Sequence, residues 1–92
     1  MITGQMVRVT WHDAHAVTET WTSQHDIDNE PCIVVTIGHL LPKVKSGHVL
    51  VGQSVIDGDD PAVDNVIAIP FGMIKKIEKL KATALLPIES DQ

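Results

Sequence analysis

The chain has 92 residues, 43% of them hydrophobic and 21% charged, with a net charge of -5. That length supports one domain, residues 1–92 with a core of about 5–82, and excludes a second independent core. The acidic total argues against non-specific nucleic-acid binding, which needs a basic surface to neutralise phosphates. Aromatic residues are limited to Trp11, Trp21 and Phe71, so the core must be aliphatic. A domain this small buries little more than ~60% of its unfolded surface, which makes self-association a reasonable added source of stability.

Cys32 is the lone cysteine. No intrachain disulfide can form, and its place in the apolar run CIVV suggests a buried, inert thiol. The amino terminus lacks the basic start and long apolar stretch of a signal peptide, and no run approaches the ~18 apolar residues of a membrane span. The expectation is a cytoplasmic protein without membrane association.

Residues 6–12, MVRVTWH, alternate: Val7, Val9 and Trp11 point one way and Arg8, Thr10 and His12 the other, as in a half-buried strand. Residues 13–30 are polar and form a long connection closed by Pro31, from which Trp21 should fold back as an anchor. Residues 32–41, CIVVTIGHLL, are rich in β-branched side chains and make a central strand, with Gly38 marking a bulge or sharp bend. Pro42 ends it and residues 43–47 turn the chain. A third strand covers residues 48–56, with Gly52 inside it, and residues 57–64, DGDDPAVD, read as an acidic turn.

The stretch NVIAIPFGMIKKIEKL, residues 65–80, organises the remainder. An apolar run over residues 66–69 ends at Pro70, and Ile74, Ile77 and Leu80 then recur among lysines. Residues 73–86 have a helical period and strong helix formers, which favours an α+β fold with an open antiparallel sheet and a C-terminal helix. As a strand, the same segment alternates poorly, because Ile77 shares a face with Lys75, Lys79 and Lys81. The tail, residues 87–92, should fray.

Chemistry-bearing constellations are few. His12 and His15 flank Asp13, and imidazole with carboxylate can hold a transition metal. Their three-residue spacing suits a helix face rather than a strand end, so exposed polar residues are the expected reading and no metal or other cofactor is called for. Asp57, Asp59, Asp60 and Asp64 fail the calcium-loop pattern: Gly58 is misplaced and Ala68 stands where a bidentate Glu is needed. His39, between Ile37 and Leu41, reads as a satisfied, partly buried side chain. Neither a nucleophile elbow nor a phosphate-cradling glycine loop occurs, so the chain does not read as an enzyme. Lys75, Lys76, Lys79 and Lys81 concentrate four of the seven basic residues, opposed there by Glu78 alone. Together with Trp21, these lysines are the candidate binding residues.

Short motifs span most of the chain: Trp11-His12-Asp13-Ala14, the second tryptophan, Val34-Val35-Thr36-Ile37-Gly38, and Ile69-Pro70 leading to Met73-Ile74. This series resembles a family of small bacteriophage and prophage proteins of unknown function. The strand, proline-containing turn and strand at 66–80 also resembles the closing unit of SH3-like and Sm-like barrels. That resemblance implies a mainly β fold, a small five-stranded barrel, with Phe71–Met73 as one 3₁₀ turn and residues 75–80 as the closing strand. A non-enzymatic phage-type accessory protein acting by protein–protein interaction or as a homo-oligomer is the function expected. The alternatives are a homo-oligomeric binder of a small anionic ligand such as a nucleotide, and Sm-like nucleic-acid binding. In a phage-encoded protein the compartment is the host cytoplasm.

Overall fold

The computed structural model describes residues 4–14, 20–27, 30–42 and 45–88. Among them, β1 (Met6–Asp13), β2 (Cys32–Leu40), β3 (His48–Gly52), β6 (Ile67–Pro70) and β7 (Ile74–Lys79) form one antiparallel sheet in the order β6-β3-β2-β1-β7. The short strands β4 (Ser54–Ile56) and β5 (Ala62–Asp64) pair separately, and 3₁₀ turns occupy Gln24–Asp26 and Phe71–Met73. The fold is mainly β, and the described residues contain no α-helix.

The alternation over residues 6–12 decides which side is the core. Val7, Val9 and Trp11 face inward with Val51 and Ile69, and Val34, Leu40, Val49, Ile67 and Ile74 pack against them. Val34 is half-buried at the margin of this core. Trp11 donates its indole Nε1–H to Thr36 Oγ1 at 3.0 Å, which satisfies the single polar group of the largest core side chain.

The segment 73–86 does not form the helix that its period and propensity favour. After the 3₁₀ turn, Ile74–Lys79 runs as a strand along β1, and residues 80–88 carry no regular structure. Val7 and Val9 are almost wholly buried, so the backbone groups of β1 need ladder partners on both sides. A helix would leave one side of β1 unpaired, and that requirement outweighs local propensity.

The outer strands β6 and β7 are consecutive in the chain. In a flat five-stranded sheet they would stand about 19 Å apart, four strand spacings. The 3₁₀ turn between Pro70 and Ile74 spans only about 8 Å. The sheet therefore bends enough for the end of one edge strand to reach the start of the other, and it stays open, because β6 and β7 share no ladder. The turn is tied down by Phe71 N–H donating to Gly47 O at 3.0 Å.

Gly38 is not a bulge. Its ladder with β1 runs through without a register shift, and the irregularity lies instead between Thr10 and Trp11, opposite β7. A Cβ at position 38 would stand 2.6 Å from Gly52 O and 2.8 Å from a Val51 methyl. Glycine is required there because two backbones meet.

The third strand and the acidic turn are also redrawn. Gln53 interrupts residues 48–56, and residues 62–64 of the expected turn are a strand. The β3–β6 and β4–β5 pairings keep one register, so residues 48–56 and 62–70 are the two arms of a single long hairpin. It breaks at Gln53 and Asn65, where Asn65 adopts φ 47° and donates its Nδ2–H to Gln53 Oε1 at 3.0 Å. Beyond the break the distal half leaves the sheet as an arm tipped by Asp57–Pro61. With this arm and an extended C-terminal segment, the radius of gyration is 18.0 Å, against about 12 Å for a compact 92-residue domain.

Candidate interaction site

Lys75, Lys76 and Lys79 lie exposed on β7, and Lys81 is exposed just after it. They do not share one face. Trp11 opposes Ile74 and Thr10 opposes Lys76, so Lys75 is the extra residue of a bulge. From there the strand alternates: Lys76 and Glu78 share the outer side with Thr10 and Arg8, whereas Ile77 and Lys79 oppose Val9 and Val7. The lysines thus flank the open edge of β7 from both sides. On the outer side, Arg8 grips the Glu78 carboxylate with two hydrogen bonds of 3.0 Å, and Lys76 Nζ stands 3.6 Å from the same carboxylate. The hydrogen bonding from Arg8 holds the Glu78 carboxyl below its ordinary value, against a smaller opposing effect of burial. Lys75, Lys79 and Lys81 have no ion pair among the described residues.

Trp21 does not fold back as an anchor. It is 100% exposed and so touches no lysine, which leaves the tryptophan-plus-lysine site unassembled in the single chain. Among the described residues of this connection, Ile27 is the aliphatic residue nearest to it in sequence and is itself exposed.

His12 is half-buried on the outer side of β1, with Nε2 lacking a hydrogen-bond partner among the described residues; His15 lies outside them. Among the described residues no three His, Cys, Asp or Glu side chains come together as a metal cluster. His39 is half-buried with Nδ1 3.3 Å from Gly4 O, as its alternation implies. Cys32 begins β2 and is half-buried rather than enclosed. Asp57 Oδ1 accepts a 3.1 Å hydrogen bond from Gly58 N–H, and Asp59, Asp60 and Asp64 stand exposed along the arm. No described helix is long and apolar enough to cross a membrane.

The surfaces best suited to contact are apolar, and sequence reasoning missed most of them. On the outer side of β2, Ile33, Val35 and Ile37 form an exposed stripe. Leu40, Leu41, His48, Val49, Leu50, Phe71 and Ile77 line an open cleft of about 290 Å³, at the small end of ligand-site volumes. His48 is its one ionisable side chain and already has Nδ1 2.8 Å from Ser46 O, so the cleft suits aliphatic groups. After Lys81 the chain continues extended, with Leu85 97%, Leu86 85% and Ile88 91% exposed. The signal is the run ALLPI, residues 84–88, whose first three residues fall within the helical reading of 73–86.

No protein-family model matches the chain, and neither a curated protein nor a solved structure shows significant similarity to it.

Proposed function

We propose that this chain is a non-enzymatic binding module whose working state is an assembly, a small phage-type accessory protein built on an SH3-like or Sm-like barrel. The sheet order and the 3₁₀ link between its two edges support the barrel reading. The phage-type assignment rests on the motifs at 11–14, 34–38 and 69–74.

The observation that carries the assembly reading is the apolar C-terminal segment. Among the described residues, thirteen large hydrophobic side chains are exposed against six buried in the core, and the tail supplies three of the most exposed. Scattered surface aliphatics are ordinary, but three fully exposed ones on an extended segment are not. Burying Leu85, Leu86 and Ile88 is worth ~1.5–3 kcal/mol each, a favourable term that offsets part of the entropy cost of association. Nucleotide or nucleic-acid binding gains no comparable support, since the lysines are divided between two sides of a strand and Trp21 stands apart from them.

The test is light scattering coupled to size-exclusion chromatography at ~100 µM, a concentration at which micromolar association is nearly complete. The wild-type chain should elute as an oligomer, and a Leu85→Ser, Leu86→Ser, Ile88→Ser variant should be monomeric and still melt cooperatively, at the lower temperature expected once association no longer adds to stability. A monomeric wild type would sink the proposal.

A further inference from the structure

Resting on the self-association reading, we infer that the acidic β4–β5 arm of one copy docks along the lysine-flanked edge of β7 in the next copy. Both surfaces are open strand edges. β7 pairs only with β1, and β5 pairs only with β4. A two-stranded hairpin alone is marginal in water, so an arm that leaves its sheet is stabilised by a further strand partner.

Charge selects which edges meet. The arm carries Asp57, Asp59, Asp60 and Asp64 and no basic residue between positions 53 and 65. The β7 edge carries Lys75, Lys79 and Lys81, none of them in an ion pair among the described residues. Lysines on an open edge discourage indiscriminate strand pairing, and an acidic strand relieves that repulsion. Ile56, 68% exposed on β4, and Ile77 of β7 add apolar contact to the charge match. Among the described residues a single chain extends neither edge: β5 has its ladder with β4, and β7 has its ladder with β1. Two different surfaces meeting in this way close as a reciprocal two-fold dimer when both arms dock at once, and otherwise generate a ring or a filament.

The experiment is zero-length carbodiimide cross-linking of the full chain at low salt, using an equal mixture of ¹⁴N- and ¹⁵N-labelled protein, with the links read by mass spectrometry. The expected result is mixed-isotope links from Asp57, Asp59 or Asp60 to Lys75, Lys79 or Lys81. An oligomer without those links overturns the arm docking and leaves the self-association reading standing. A chain that stays monomeric overturns both.

A second arm uses two charge-reversed chains, D57K/D59K/D60K and K75E/K79E/K81E. Each alone should associate about tenfold or more weakly, and mixing them should restore assembly because each arm then meets an edge of opposite sign. A chain carrying D13K/D26K/E30K has the same net charge as D57K/D59K/D60K but keeps both surfaces, and alone it should associate as the wild type does. Weakening equal to that of D57K/D59K/D60K would assign the attraction to bulk charge and overturn the inference.

Discussion

At the scale of single residues, the tightest constraint is the crossing of backbones at Gly38. Its hypothetical Cβ meets Gly52 O at 2.6 Å, and neither that carbonyl nor the Val51 methyl can move without disturbing the β2–β3 ladder. Gly72 offers the contrast, since nothing stands within 4 Å of a Cβ there. Gly38→Ala should cost ~1–3 kcal/mol or more by overpacking, while Gly72→Ala should shift stability by less than ~0.5 kcal/mol. Urea titration of both variants checks this, and equal midpoints would contradict the close approach. The sequence marked Gly38 as special without saying why, because a glycine inside a strand serves a bulge and a close contact equally well. Trp21 departs from expectation for a related reason: an indole is expected inside, but burial requires packed neighbours, and Trp21 stands fully exposed, as Ile27 also stands exposed.

At the scale of elements, β7 is the strand with the weakest sequence signal. Its attachment to β1 combines the ladder, the inward Ile74, and the Arg8–Glu78 bridge on the outer side. The terminus of that ladder is closed by Leu80 N–H donating to Met6 O at 2.8 Å, while Gln5 Nε2–H donates to Leu80 O. The hydrogen bond from Arg8 lowers the folded-state pKa of Glu78 from its ordinary 4.5, so the contribution of the pair is fully present above that ordinary value. The stabilisation is lost as pH falls through the depressed folded value and the carboxyl protonates. Wild-type stability should therefore drop on acidification below about pH 4.5, and part of that slope should vanish in Arg8→Met. Denaturation midpoints measured from pH 6 to pH 3 give the comparison, and parallel curves for the two chains would show that the bridge adds nothing. Both members are solvent-exposed, so salt should flatten the difference.

At the scale of the whole molecule, the structure divides into a curled sheet with a small aliphatic core and two projections, the arm and the C-terminal segment. Val7, Val9, Val51 and Ile69 lie at the centre with almost no exposure, whereas β4 and β5 have a single ladder between them and no buried residue. Local opening free energies follow buried contact and ladder depth. In native-state hydrogen exchange of the dilute chain, amides of the β1–β2 ladder should be protected to the global unfolding limit, and those of residues 54–64 should exchange far faster. Protection of the arm equal to that of β1 would mean that it packs on its own sheet. Raising the concentration until the chain assembles should slow exchange in the arm, in β7 and in residues 82–88 while leaving the β1–β2 amides unchanged.

Local pattern in the sequence was enough to locate most strands and the inward set. Alternation over residues 6–12, the β-branched run from Cys32 and the apolar run before Pro70 are properties of neighbouring residues, and the chain obeys them wherever it folds. The proline-containing turn was legible for the same reason, since Pro70 ends its strand and the next three residues form the 3₁₀ turn. What only the tertiary structure decided is pairing. Residues 74–79 carry a helical period and become a strand because β1, more than sixty residues earlier, has an unpaired side. The acidic turn became half of a long hairpin because the register set by β3 and β6 continues past Gln53, and Ile74 joins the inward set because a one-residue bulge at Lys75 brings it opposite Trp11. Pairing of this kind joins backbones distant in sequence, so side-chain period, which is local, carries no record of it.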